Sequence, residues 1–72
     1  MNFTIFYEGR HLEVNGRNKN GKTVYEVDFP SGLVVYEPVS HHGQNKLWLQ
    51  GGRTSPMATV IGTLIEEKLV VY

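Results

Sequence analysis

The sequence predicts an α+β fold: a five-stranded antiparallel meander with one C-terminal helix packed on a sheet face. Three observations carry that expectation. Up to Gln50, apolar residues recur at every second position in short runs, the period of half-buried strands. From Met57 they recur at Met57, Val60, Ile61, Leu64 and Ile65, which is one stripe of a helix. Between the runs stand Gly, Pro and Asn, the residues that turn a chain.

Residues 3–7 and 11–15 read as two strands joined through Glu8, Gly9 and Arg10, where Gly9 supplies the positive φ of a tight hairpin. Residues 15–22 contain no apolar side chain and two Asn-Gly pairs, which reads as a solvated loop. Residues 23–29 form the clearest strand, with Tyr25, Val27 and Phe29 on one face and Glu26 and Asp28 on the other. Pro30, Ser31 and Gly32 suit a type I turn. Residues 33–37 return as the fourth strand, which Pro38 ends or places at an edge because it lacks an N–H. Residues 39–45 make a polar loop, and residues 46–50, centred on Trp48, supply the fifth strand.

The helix is expected over residues 56–67, with Ser55 as its N-cap and Pro56 in its first turn. Gly62 and the β-branched Thr59, Val60, Ile61 and Thr63 lower its propensity, so a sixth strand over 58–65 is the alternative. Residues 69–72 either prolong the helix or pair as an edge strand.

Seventy-two residues make a single domain, 1–72, and a chain of this size buries only about 60% of the surface its unfolded form exposes. There is no cysteine, so neither disulfides nor thiolate metal sites add to its stability. Packing must come from the 40% of residues that are hydrophobic, and self-association would add to it. Seven basic residues balance seven acidic ones, which argues against a dedicated duplex-DNA binder and against nucleic acid in general. No signal peptide, apolar run near eighteen residues or lipidation motif is evident, so no membrane association and a cytoplasmic address are expected.

Nothing in the sequence converges on catalysis, and the chain reads as a non-enzyme with no cofactor. Ser40 precedes His41, but sequence neighbours rarely aim a hydroxyl at an imidazole, and no Gly-x-Ser-x-Gly elbow exists. His11, His41 and His42 offer three imidazoles with no thiolate, and the adjacent two point opposite ways in an extended segment, so no metal is expected. Glu26/Asp28 and Glu66/Glu67 pair in sequence, but outward-facing charges explain them, and a domain this small rarely encloses the cleft an acid–base pair requires.

Two features suit binding. Apolar residues crowd both strand faces: Phe3, Ile5, Tyr7, Leu12, Val14, Tyr25, Val27, Phe29, Leu33, Val35, Leu47 and Leu49 on one, and Phe6, Val24, Val34, Tyr36 and Trp48 on the other. One helix covers one face, so the second needs a protein partner, another copy of the chain, or a sheet that curls on itself. This makes Phe6, Tyr36 and Trp48 the candidate partner-binding residues, with a homodimer as one form of the assembly. The second feature is anionic recognition. The helix start at Gly51, Gly52, Arg53, Thr54 and Ser55 offers backbone donors, a guanidinium and two hydroxyls to a phosphate or carboxylate, although two glycines turning the chain and a serine cap explain it as well. Arg10, Arg17, Lys19 and Lys22 fall within thirteen residues, with Tyr7 and Tyr25 nearby, and form the alternative site for single-stranded nucleic acid.

The pattern Tyr25-x-Val27-x-Phe29-Pro30-x-Gly32, then Trp48, Gly52-Arg53 and Ala58-x-x-Ile61-Gly62-x-Leu64-Ile65-Glu66, resembles a group of short uncharacterised bacterial proteins. The resemblance spans nearly the whole chain and implies a strand meander ending in an amphipathic helix. It brings no activity, cofactor or catalytic residue. The chain departs from that pattern at Val34-Val35-Tyr36-Glu37-Pro38 and at its last residues, Val70-Val71-Tyr72. The function expected is a non-catalytic protein-interaction or structural module.

Overall fold

A computed structural model describes residues 1–39 and 47–69. Its elements are β1 (Asn2–Tyr7), β2 (Arg10–Lys19), β3 (Lys22–Phe29), β4 (Gly32–Val39), β5 (Leu47–Gln50) and α1 (Pro56–Leu69). All neighbouring strands are antiparallel and lie in chain order, β1-β2-β3-β4-β5. The protein is therefore α+β, a five-stranded meander with one C-terminal helix. The alternative sixth strand over 58–65 is excluded, because those residues are helical. Ser40, His41, His42 and Lys46 lie outside the described residues, as do the last three positions, where the choice between helix and edge strand falls.

Local chemistry explains the turns. Glu8 and Gly9 have φ of 48° and 78°, and Asn20 and Gly21 have 54° and 80°. Two successive positive φ values make the type I′ turn whose twist matches paired strands. The side-chain carbonyl of Asn18 also accepts the Gly21 N–H at 3.2 Å. Residues 15–22 are consequently not a loop. Asn15 pairs with Glu26, Gly16 with Tyr25, Arg17 with Val24 and Lys19 with Lys22. A ladder satisfies backbone groups whatever the side chains are, so a wholly polar hairpin end needs no burial to persist.

Pro38 does not end β4. It opposes Trp48 of β5, whereas the registered pairing of β4 with β3 stops at Tyr36, so the missing N–H faces no neighbouring ladder on that side.

The faces of β4 and β5 correct the sequence expectation. The turn at Pro30 and Ser31 pairs Phe29 with Gly32, which sets Val27 against Val34 and Tyr25 against Tyr36. Tyr36 and Trp48 therefore lie on the helix side and are buried, while Leu33, Val35 and Leu47 face outward. A slip of one residue in parity inverts a whole strand. The core comprises Ile5, Leu12, Val14, Tyr25, Val27, Tyr36 and Trp48 from the sheet and Ala58, Ile61 and Ile65 from the helix.

The helix stripe is shifted too: Ala58, Ile61, Gly62 and Ile65 are buried and Val60 is exposed. The strands nearest to α1 are β5, β1 and β4. Since β1 and β5 are the two ends of the sheet, the sheet curls and α1 closes the gap between its edges. Inside that curl, Tyr25 meets Phe3 at 6.3 Å and Trp48 at 5.6 Å between ring centroids, edge-on or tilted as aromatic quadrupoles prefer. Burial raises the pKa of the Tyr25 and Tyr36 hydroxyls, and nearby Tyr7 adds to the effect on Tyr36. Among the described residues the enclosed Tyr36 hydroxyl has no hydrogen-bond partner.

Candidate functional site: the outer face of the sheet

Strand alternation places Phe6, Glu13, Arg17, Lys19, Lys22, Val24, Glu26, Asp28, Leu33, Val35, Glu37, Leu47 and Leu49 on the side away from α1. Phe6 and Leu33 are each 58% exposed, Val35 40% and Leu47 39%, while Val24 is covered by its neighbours. Ion pairs flank this apolar stripe: Arg17 Nε stands 3.2 Å from Glu26 Oε1, and Lys22 Nζ 3.6 Å from Glu37 Oε2. Pairs this exposed contribute about 0–1 kcal/mol, so they orient the surface more than they stabilise it.

Among the described residues, two shallow hollows on this face differ in character. Glu13, Glu26 and Asp28 line one with Asn2, Asn15 and Leu33. Arg17 and Lys19 line the other with Asn18, Val24 and Val35, and Glu26 borders both. A third concavity lies on the helix side, at the end of the sheet, among Tyr7, Leu12, Phe29 and Met57.

Of the three residues expected to bind a partner, only Phe6 is on the outer face, where its ring stands edge-on to His11 at 5.1 Å. Tyr36 and Trp48 belong to the core. Their replacements on the surface, Leu33, Val35 and Leu47, were assigned by sequence to the buried side. The signal that could have placed them is the two-residue connection at Pro30 and Ser31, because counting across it fixes which residue of β4 opposes Val27.

The helix start is used internally. Gln50 and Arg53 exchange backbone hydrogen bonds of 2.7 and 3.2 Å, closing the turn at Gly51 and Gly52. Ser55 Oγ accepts the Ala58 N–H at 2.9 Å, the Ser55 carbonyl accepts the Thr59 N–H, and Pro56 has no N–H to give. The Arg53 and Ala58 N–H groups and the Ser55 hydroxyl are thus used within the turn and the cap. The basic residues do not gather either. Arg10 and Lys19 are at opposite ends of β2, roughly 30 Å apart at ~3.3 Å per residue, and Arg17 and Lys22 already face carboxylates. Tyr25, the proposed stacking partner, is buried.

Glu66 and Glu67 do not act as a pair, since Glu66 Oε1 accepts the Trp48 Nε1–H while Glu67 is exposed. Among the described residues no three His, Cys, Asp or Glu side chains group as metal ligands, and no helix is long and apolar enough to cross a membrane.

Fold and surface together define a small sheet-and-helix module with one sealed face and one open face. No protein family, curated protein or solved structure matches the chain.

Proposed function

We propose that the protein is a non-catalytic interaction module that docks a protein partner on the outer face of its sheet. One observation carries this reading: Leu33, Val35 and Leu47 stand half-exposed on the sheet side that α1 does not cover, between charged flanks. Full burial of an aliphatic side chain contributes about 1.5–3 kcal/mol, against about 0–1 for an exposed ion pair. The aliphatics therefore supply the affinity and the charges the orientation. Kinship with the short bacterial proteins it resembles and a cytoplasmic address belong to the same proposal. The alternative, an anion or single-stranded nucleic acid held by the Arg53 turn or the β2 basic residues, has less support because Arg17 and Lys22 face carboxylates, Arg10 and Lys19 lie at opposite ends of β2, and Tyr25 is buried.

Mapping with small organic probes tests the surface without knowledge of the partner. In a titration of ¹⁵N-labelled protein with isopropanol, amide shifts are expected to cluster at Leu33, Val35 and Leu47. Shifts confined to the concavity of Tyr7, Leu12, Phe29 and Met57 would move the binding site off this face.

A further inference from the structure

The outer face has a two-fold pattern of charge, and we infer that its partner is a second copy of this chain, docked face to face with strands antiparallel. This rests on the outer-face reading and names the partner that face selects. The row formed by Gly16, Tyr25 and Tyr36, which oppose one another across β2, β3 and β4, marks the middle of the pattern. Three residues to one side stand Glu13 on β2, Asp28 on β3 and Leu33 on β4. Three residues to the other side stand Lys19, Lys22 and Val39 on the same three strands. A two-fold axis across the strands at the central row lays each of the first set over its counterpart in the second: Glu13 over Lys19, Asp28 over Lys22 and Leu33 over Val39.

Isologous contact requires this kind of self-complementarity, since residue i meets j and j meets i. The opposed charges lie about 20 Å apart along β2, six residues at ~3.3 Å each, so one chain cannot pair them internally. The same axis lays Asn15 over Arg17, Val24 over Glu26 and Val35 over Glu37, so the outer charges and the Leu33–Val39 pair, rather than an apolar centre, carry the contact. Twisted sheets stack in this aligned way in β-sandwiches. The reverse orientation would set acid on acid and base on base.

A charge-swap experiment tests this. One variant carries Glu13→Lys and Asp28→Lys, the other Lys19→Glu and Lys22→Glu, and far-UV circular dichroism verifies that each is folded. By sedimentation equilibrium the wild type is expected to dimerise, each variant to self-associate at least tenfold more weakly, and their equimolar mixture to recover the dimer. Glu8→Lys with Glu67→Lys changes net charge equally away from this face and should dimerise as the wild type does. A monomeric wild type, variants that dimerise undiminished, a mixture that stays monomeric, or equal weakening of the control each overturn the inference. If isopropanol still maps to Leu33, Val35 and Leu47 in that event, the docking face stands and the partner is another protein.

Discussion

The indole of Trp48 occupies the space that a side chain at residue 62 would need. A Cβ placed on Gly62 would fall 2.1 Å from the Trp48 Cγ and within 2.5 Å of two further ring atoms. The glycine that weakens the helix by propensity is thus what allows α1 to settle onto β5. The contact involves the rigid base of the ring, which has no flexible end to move aside.

Gly62→Ala is therefore expected to destabilise the protein despite a gain of about 1 kcal/mol in helix propensity. Overpacking typically costs about 1–3 kcal/mol, and α1 must lift from the sheet to relieve it. Urea unfolding should show a lower midpoint. A midpoint equal to or above that of the wild type would mean that the helix does not sit on Trp48.

The same indole donates its Nε1–H to Glu66 Oε1 at 2.5 Å, tying the C-terminal part of α1 to β5. Glu66→Ala leaves that donor without its acceptor and should cost about 1–3 kcal/mol. Glu66→Gln retains an oxygen acceptor and should cost less. Thermal unfolding of the two variants separates the hydrogen bond from side-chain packing, because equal losses would assign the effect to packing alone.

Tyr36 carries an enclosed hydroxyl with no partner among the described residues, so Tyr36→Phe is expected to leave stability unchanged or raise it by up to about 1–3 kcal/mol. Tyr36→Ala, which empties the core, should cost about 3–5 kcal/mol. Burial raises the folded-state pKa of Tyr36, with Tyr7 second in effect, from the ordinary 10.0 of the unfolded chain. Above that pH the unfolded chain loses the proton first, so the folded state binds more protons and stability falls as pH rises. Below pH 10 this contribution is fully present. Alkaline unfolding followed by circular dichroism should shift upward in Tyr36→Phe.

Ser55 terminates α1 by accepting the Ala58 N–H, and Ser55→Ala should cost about 1 kcal/mol, with the loss confined to the first turn. Ser55→Asp keeps a capping oxygen and should restore most of it. Amide exchange at Ala58 and Thr59 reports the change directly.

Much of the fold was legible in the residues themselves. Gly9 and the Pro30-to-Gly32 turn punctuate the strands, and Ser55-Pro56 announces the helix, because each meets a local backbone requirement that needs no distant partner, whereas the turn at Asn20-Gly21 was read as part of a longer loop. The face of each side chain was legible only in part. In β1, the first half of β2 and β3 the inward residues are apolar at alternate positions, so most of the inward set was evident. In β4 Leu33, Val34, Val35 and Tyr36 are all apolar, and alternation cannot then distinguish in from out. Pairing across the turn decided that, sending Tyr36 and Trp48 inward and Leu33 and Val35 outward. Tertiary contact likewise turned Gly62 from a defect into a seat for the indole. Period and turn chemistry are properties of neighbours along the chain, whereas which face is buried depends on what a distant segment covers. For that reason the sequence alone determined most of the elements of this protein, and the folded structure decided the polar β2–β3 hairpin end and which surfaces remain open to a partner.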